Sequence, residues 1–80
     1  MNKQKIKKII NEECGFAPNK IILLEAFKNK FGKYEYIFFE VCAVKYCLCY
    51  CCIDHINFRY ELQYFNQKER SFVDINKYNE

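Results

Sequence analysis

YCLCYCCIDHINFRYELQYF, residues 46–65, is the stretch that decides how this chain folds. In its second half Phe58, Tyr60, Leu62 and Tyr64 interleave with Arg59, Glu61, Gln63 and Phe65, the period of two that marks a half-buried strand. The first half is dense in cysteine and holds no Gly, Pro, Asn or Asp before the tetrapeptide DHIN, residues 54–57, which reads as a turn. The two halves therefore predict an antiparallel pair in which Ile53 faces Phe58, Cys51 faces Tyr60, Cys49 faces Leu62 and Cys47 faces Tyr64. In that register three cysteines become small core hydrophobes, a common role for a free thiol. The opposite face then carries Val44, Tyr46, Leu48, Tyr50 and Cys52 beside Arg59, Glu61, Gln63 and Phe65.

The cysteine cluster is also a candidate for metal or redox chemistry. Side chains two apart on a strand are separated by roughly 6.6 Å, too far for a disulfide. The order CxCxCC also lacks the second ligand pair that structural zinc sites draw from turns. Were the stretch helical, Cys47, Cys51 and His55 would line up at i, i+4 and i+8 and could hold a soft metal with Cys14 or Cys42. Asp54 beside His55, the only histidine, suggests a base for a thiol nucleophile, but in a short turn the pair reads first as a cap. There is no Gly-rich phosphate loop, HExxH or GxSxG. The expectation is a protein without enzymatic activity, catalytic residues or a cofactor.

Working outward, Ile6, Ile9, Ile10 and Cys14 recur at helical spacing among lysines and glutamates, so residues 3–14 predict an amphipathic helix. Gly15 supplies a left-handed stop and Pro18 prevents continuation. Residues 20–28, KIILLEAFK, fit a strand or a second helix; the apolar run favours the strand, with NKFGK as a hairpin loop into YEYIFFEV. Residues 34–53 as one strand would span about 66 Å, so the stretch must bend or break near residues 40–44. A final strand, SFVDI, follows the polar loop NQKER, and residues 76–80 are expected to fray. The prediction is a single α+β domain over residues 1–80, with an N-terminal amphipathic helix packed on one face of a four- or five-stranded antiparallel meander.

Eighty residues bury only about 60–65% of the unfolded surface, which leaves little material for a deep cleft. A composition 51% hydrophobic and 19% aromatic is that of a folded chain rather than a disordered one. Glu40, Lys45 and Asp54 interrupt the most apolar stretch, and MNKQKIKKII lacks the apolar core of a secretory signal, so no membrane partner is expected and the cytoplasm is the expected location. Charge is uneven. Residues 1–33 hold eight lysines against three glutamates, a net of +5, whereas residues 34–80 hold five basic against seven acidic groups, a net of −2.

Two surfaces follow as candidates. One helix can cover only one face of such a sheet, so the other presents an aromatic patch of Tyr46, Leu48, Tyr50, Arg59 and Phe65, the residue types of protein interfaces. The second is the lysine-rich helix, where Lys3, Lys5, Lys7 and Lys8 could meet phosphates or an acidic partner. The leading expectation is a protein–protein interaction module, with a homodimer as a further expectation. Its size and its Lys, Asn and Ile usage, typical of AT-rich genes, fit a phage or mobile-element accessory protein that inhibits a host enzyme or defence complex in the host cytoplasm, by class-level analogy with anti-CRISPR inhibitors. The alternatives are a small nucleic-acid-binding protein and a metal-binding cysteine cluster.

Overall fold

The computed structural model describes residues 2–52 and 58–75, with the side chains at 51, 52 and 58 excepted. Helix α1 spans Lys3–Cys14. Asn2 caps it, its Oδ1 accepting from the Lys5 amide at 3.1 Å, and Gly15 ends it at φ 80°, its amide donating to the Asn11 carbonyl. A 3-10 turn over Pro18–Lys20 leads into five strands: β1 (Ile22–Lys28), β2 (Tyr34–Val41), β3 (Val44–Cys52), β4 (Phe58–Asn66) and β5 (Ser71–Asp74). They form one antiparallel sheet in the order β1-β2-β3-β4-β5, each strand beside its neighbours in sequence. The α+β class, the strand within residues 20–28 and the NKFGK hairpin agree with the sequence reading, although the strand begins only at Ile22 and Lys20 ends the 3-10 turn. The DHIN turn, His55 and the tail 76–80 lie outside the described residues.

The break in residues 34–53 falls at Cys42 and Ala43. Val41 pairs with Val44, which leaves a two-residue hairpin whose central residues have φ of 51° and 66°. A two-residue loop with both centres at positive φ matches the right-handed strand twist, and it is normally built from Asn and Gly. Cysteine and alanine carry no such signal, which is why the sequence located the break only to residues 40–44.

Pairing of β3 with β4 differs from the prediction by one residue. Cys52 faces Phe58, Tyr50 faces Tyr60, Leu48 faces Leu62, Cys49 faces Glu61 and Cys47 faces Gln63. The predicted register placed Ile53 against Phe58, whereas Phe58 faces Cys52. A slip of one exchanges every side chain between the two faces. The observed register puts the bulky residues of both strands on the same side, so Tyr46, Leu48 and Tyr50 meet Tyr64, Leu62 and Tyr60. That side gathers the larger apolar area, at roughly 1.5–3 kcal/mol for each large side chain buried in full.

Ile6 and Ile10 of α1 are fully buried, in one cluster with Ile37, Phe39, Val41 and Leu48 of the sheet. The side of the sheet that supplies this cluster is the core face. Leu23, Ala26, Tyr46, Tyr60 and Leu62 adjoin the cluster, and Phe16 closes one end with its ring 5.8 Å from Phe39 and 5.1 Å from Tyr46.

Candidate interaction surface

The far face of the sheet carries what the sequence reading assigned to the core. Cys47, only 2% exposed, faces Gln63, and Cys49 faces Glu61. Their cover comes from phenylalanine. Phe38 on β2 and Phe72 on β5 stand three strands apart, about 14 Å in a flat sheet. Their ring centroids are nevertheless 5.6 Å apart, so the rings lean together over the strands between them or the sheet curls toward this face. Phe27 extends the row at 6.2 Å from Phe38, and Phe65 at 5.5 Å from Phe72. The far face therefore shields its centre with its own aromatics.

Beneath this row the Cys47 and Cys49 sulfurs lie 3.5 Å apart, and Cys49 Sγ is 3.8 Å from Gln63 Oε1. The sulfurs are closer than the 6.6 Å expected from the strand repeat because both side chains lean inward along β3. Burial pushes the Cys49 thiol pKa up, the Cys47 sulfur beside it works in the opposite direction, and Glu61 adds to the rise. Cys14, at the end of α1, is pushed up to about 11 by burial and by neighbouring Glu13. Neither thiol is poised as a nucleophile, which requires a lowered pKa. The helical stripe that would align Cys47 and Cys51 does not exist, since both belong to strand β3; His55 and the Cys51 side chain lie outside what is described. Among the described residues no group of three His, Cys, Asp or Glu side chains is placed to hold a metal ion.

The five residues predicted to form one aromatic patch do not share a face. Leu48 is 1% exposed in the core cluster. Tyr46 is half-buried between Phe16 and Phe39, and Tyr50 packs on Tyr60 with centroids 4.9 Å apart. Arg59 and Phe65 are on the far face, where Arg59 is exposed and pairs with Glu61 at 3.0 Å. The patch as drawn from the sequence is corrected by the register, and Tyr46 and Leu48 have no open surface of the kind it required. Tyr60 donates to the Tyr34 carbonyl at 3.4 Å, and burial first, then Tyr50 and Glu13, pushes its phenol pKa up. Of the helix lysines, Lys3, Lys5 and Lys8 are exposed and Lys7 is half-buried; Lys8 lies 4.0 Å from Glu12.

Open apolar surface is found instead on β1. It is an edge strand, paired with β2 on one side only among the described residues. Ile22 is 56% exposed, Leu24 47% and Phe27 46%, and Tyr36, the β2 residue facing Phe27, is similarly exposed. The pairing with β2 is irregular between Leu23 and Glu25 and again between Phe27 and Lys28. The other edge, β5, has four residues, only one of them exposed. An edge strand displays a row of main-chain donors and acceptors that a further strand can use, and natural proteins usually blunt such edges. Here the blunting is limited to the two irregularities and to Glu25 and Lys28.

No known family model matches the chain, and no curated protein and no solved structure matches it. Among the described residues no helix is long and apolar enough to cross a membrane. The surface must therefore be read from its own chemistry.

Proposed function

We propose that this chain is a non-enzymatic protein-interaction module that engages another protein along the β1 edge, by strand addition. The observation that carries the reading is three large apolar side chains, Ile22, Leu24 and Phe27, about half exposed on a strand with an open flank. In this reading α1 lies on the core face, with Ile6 and Ile10 pressed into it, and the phenylalanine row closes the centre of the far face. Among the described residues the β1 edge is then where the sheet leaves the most large apolar side chains open. Completing the burial of three half-exposed side chains supplies roughly 2–4 kcal/mol. Each new main-chain hydrogen bond adds about 1 kcal/mol net. Association costs at least about 4 kcal/mol, so the edge sustains binding only when most of the strand engages. The irregularities at Leu23/Glu25 and Phe27/Lys28 restrict which strands fit and give the edge selectivity.

The biological setting proposed is that of an accessory protein from a phage or mobile element, working in the host cytoplasm to disable a host enzyme or defence complex. Its support is the chain's size and composition. A second copy of the chain is the alternative user of the same edge, as a homodimer. The test compares proteins retained from a bacterial lysate by the wild-type chain, by Leu24→Lys and by Gln4→Ala on the exposed helix surface. A partner kept by wild type and Gln4→Ala and lost with Leu24→Lys supports the reading. A partner retained equally by all three contradicts it.

A further inference from the structure

The hairpin between β1 and β2 holds the most exposed large apolar side chain described, Phe31, at 78%. A bare aromatic ring on a loose loop would mean little, but this loop is braced. Asn29 Oδ1 accepts from the amides of Phe31 at 2.9 Å and Lys33 at 3.1 Å. The Asn29 amide donates to the Lys33 carbonyl at 2.8 Å, and the Gly32 amide to the Asn29 carbonyl at 3.1 Å. Gly32, at φ 79°, permits the tight return. Phe31 is thus held outward at little further entropic cost to a ligand.

Charge accumulates around this ring. Residues 28–33 contain Lys28, Lys30 and Lys33 and no acid. Lys30 Nζ lies 5.2 Å from the Phe31 ring centre. The fold adds a contribution from α1: Lys5 borders the same surface depression as Phe31 and Lys33, and Asn2, at the head of α1, borders another with Lys28. Glu12 and Glu13 line the first depression alongside Lys5 and Lys33, so the excess of positive charge is that of Lys28 and Lys30 on the hairpin itself.

We infer that this hairpin tip is a binding site for single-stranded nucleic acid, with Phe31 as the stacking platform and Lys5, Lys28, Lys30 and Lys33 as phosphate contacts. An aromatic face with lysines on a backbone track is the chemistry that recognises an unpaired strand, whose bases are free to stack. Duplex bases are already stacked and cannot use the ring. An anionic membrane meets the lysines equally well, but the braced tip offers only one apolar side chain for insertion. The site adjoins the β1 edge, with Lys28 at the end of that strand, but it uses the hairpin side chains rather than Ile22, Leu24 and Phe27, and its failure leaves that proposal standing.

The test is fluorescence anisotropy with labelled dT12 and rU12 against the full chain at 50–200 mM salt. Four single-strand phosphate contacts predict a log–log slope near −2.8, an affinity loss of roughly 50-fold over that range. Phe31→Ala should weaken binding roughly 5- to 150-fold at fixed salt, with an unchanged melting curve, and Phe31→Trp should restore it. Lys30→Gln with Lys33→Gln should reduce the slope to about −1.4. Absence of binding at 50 mM salt overturns the inference, as does binding indifferent to Phe31→Ala. So does Phe31-dependent retention on phosphatidylserine vesicles or on a poly-glutamate peptide that exceeds retention on the oligonucleotides.

Discussion

Replacing Ala43 by glycine and Cys42 by asparagine should stabilise this protein, because the β2–β3 turn forces two unsuitable residues into the left-handed region. An L-residue at φ near 60° brings its Cβ against the following carbonyl, at a cost of about 1–2 kcal/mol. Cys42 at 51° and Ala43 at 66° both bear it. Both side chains are exposed, so the substitutions sacrifice little packing. Glycine at 43 removes the clash but gains freedom in the unfolded chain, about 0.5–1 kcal/mol, for a net benefit of about 0.5–1 kcal/mol. Asparagine tolerates positive φ better than cysteine and should add about 0.5 kcal/mol at 42. The double variant should therefore gain about 1–1.5 kcal/mol, a rise in Tm of roughly 4–12 °C for a chain of this size. Urea unfolding followed by far-ultraviolet circular dichroism measures it, with the midpoint moving up and the slope unchanged. The converse variant, Ala43→Val, puts a β-branched side chain at positive φ and should lose at least 1 kcal/mol. If Ala43→Gly is neutral or destabilising while Ala43→Val is harmless, the turn is not built as described.

The register makes Leu48→Asp a folding mutation rather than an interface one: it places a charge in the core cluster and should cost more than the roughly 2–5 kcal/mol of a Leu→Ala change, giving an unfolded circular dichroism spectrum. Of Cys14, Cys42, Cys47 and Cys49, only Cys42 is exposed, so it alone should react promptly with iodoacetamide in the native protein, read by peptide mass spectrometry. The raised Cys14 pKa fixes the sign of an alkaline effect. Between the ordinary thiol value of 9.0 and about 11 the folded state holds a proton that the unfolded state releases, so stability is complete below pH 9 and falls as pH rises to 11. Urea midpoints over that range should fall, and Cys14→Ala should flatten the decline.

Much of the backbone was legible in the sequence, for reasons that can be located. The helix announced itself through Ile6, Ile10 and the Gly15 stop, because one of its faces is buried and the other wet, and β4 through the alternation of apolar with polar residues from Phe58 to Tyr64. The β2–β3 turn left no trace, since Cys42 and Ala43 have no turn propensity; the requirement for a break came only from the length of residues 34–53. The faces of β3 were misread for a related reason. Cysteine and tyrosine both suit a core, so the alternation Tyr46, Cys47, Leu48, Cys49, Tyr50 does not say which set is inside, and a shift of one residue in the pairing with β4 reverses the answer. Matching bulk against bulk, Tyr50 with Tyr60 and Leu48 with Leu62, was the available signal. Exposure at Ile22, Leu24 and Phe31 could not be read at all, because it depends on strand order and on a loop braced by Asn29.

Amide hydrogen exchange across residues 22–28, with and without the protein captured from lysate, tests the β1 edge most directly. Strand addition predicts that alternate β1 amides, open in the free chain, gain protection in the complex, and that Leu24→Lys prevents both capture and protection. Protection confined to α1 or to β4, with β1 exchanging as fast as in the free chain, would contradict the account.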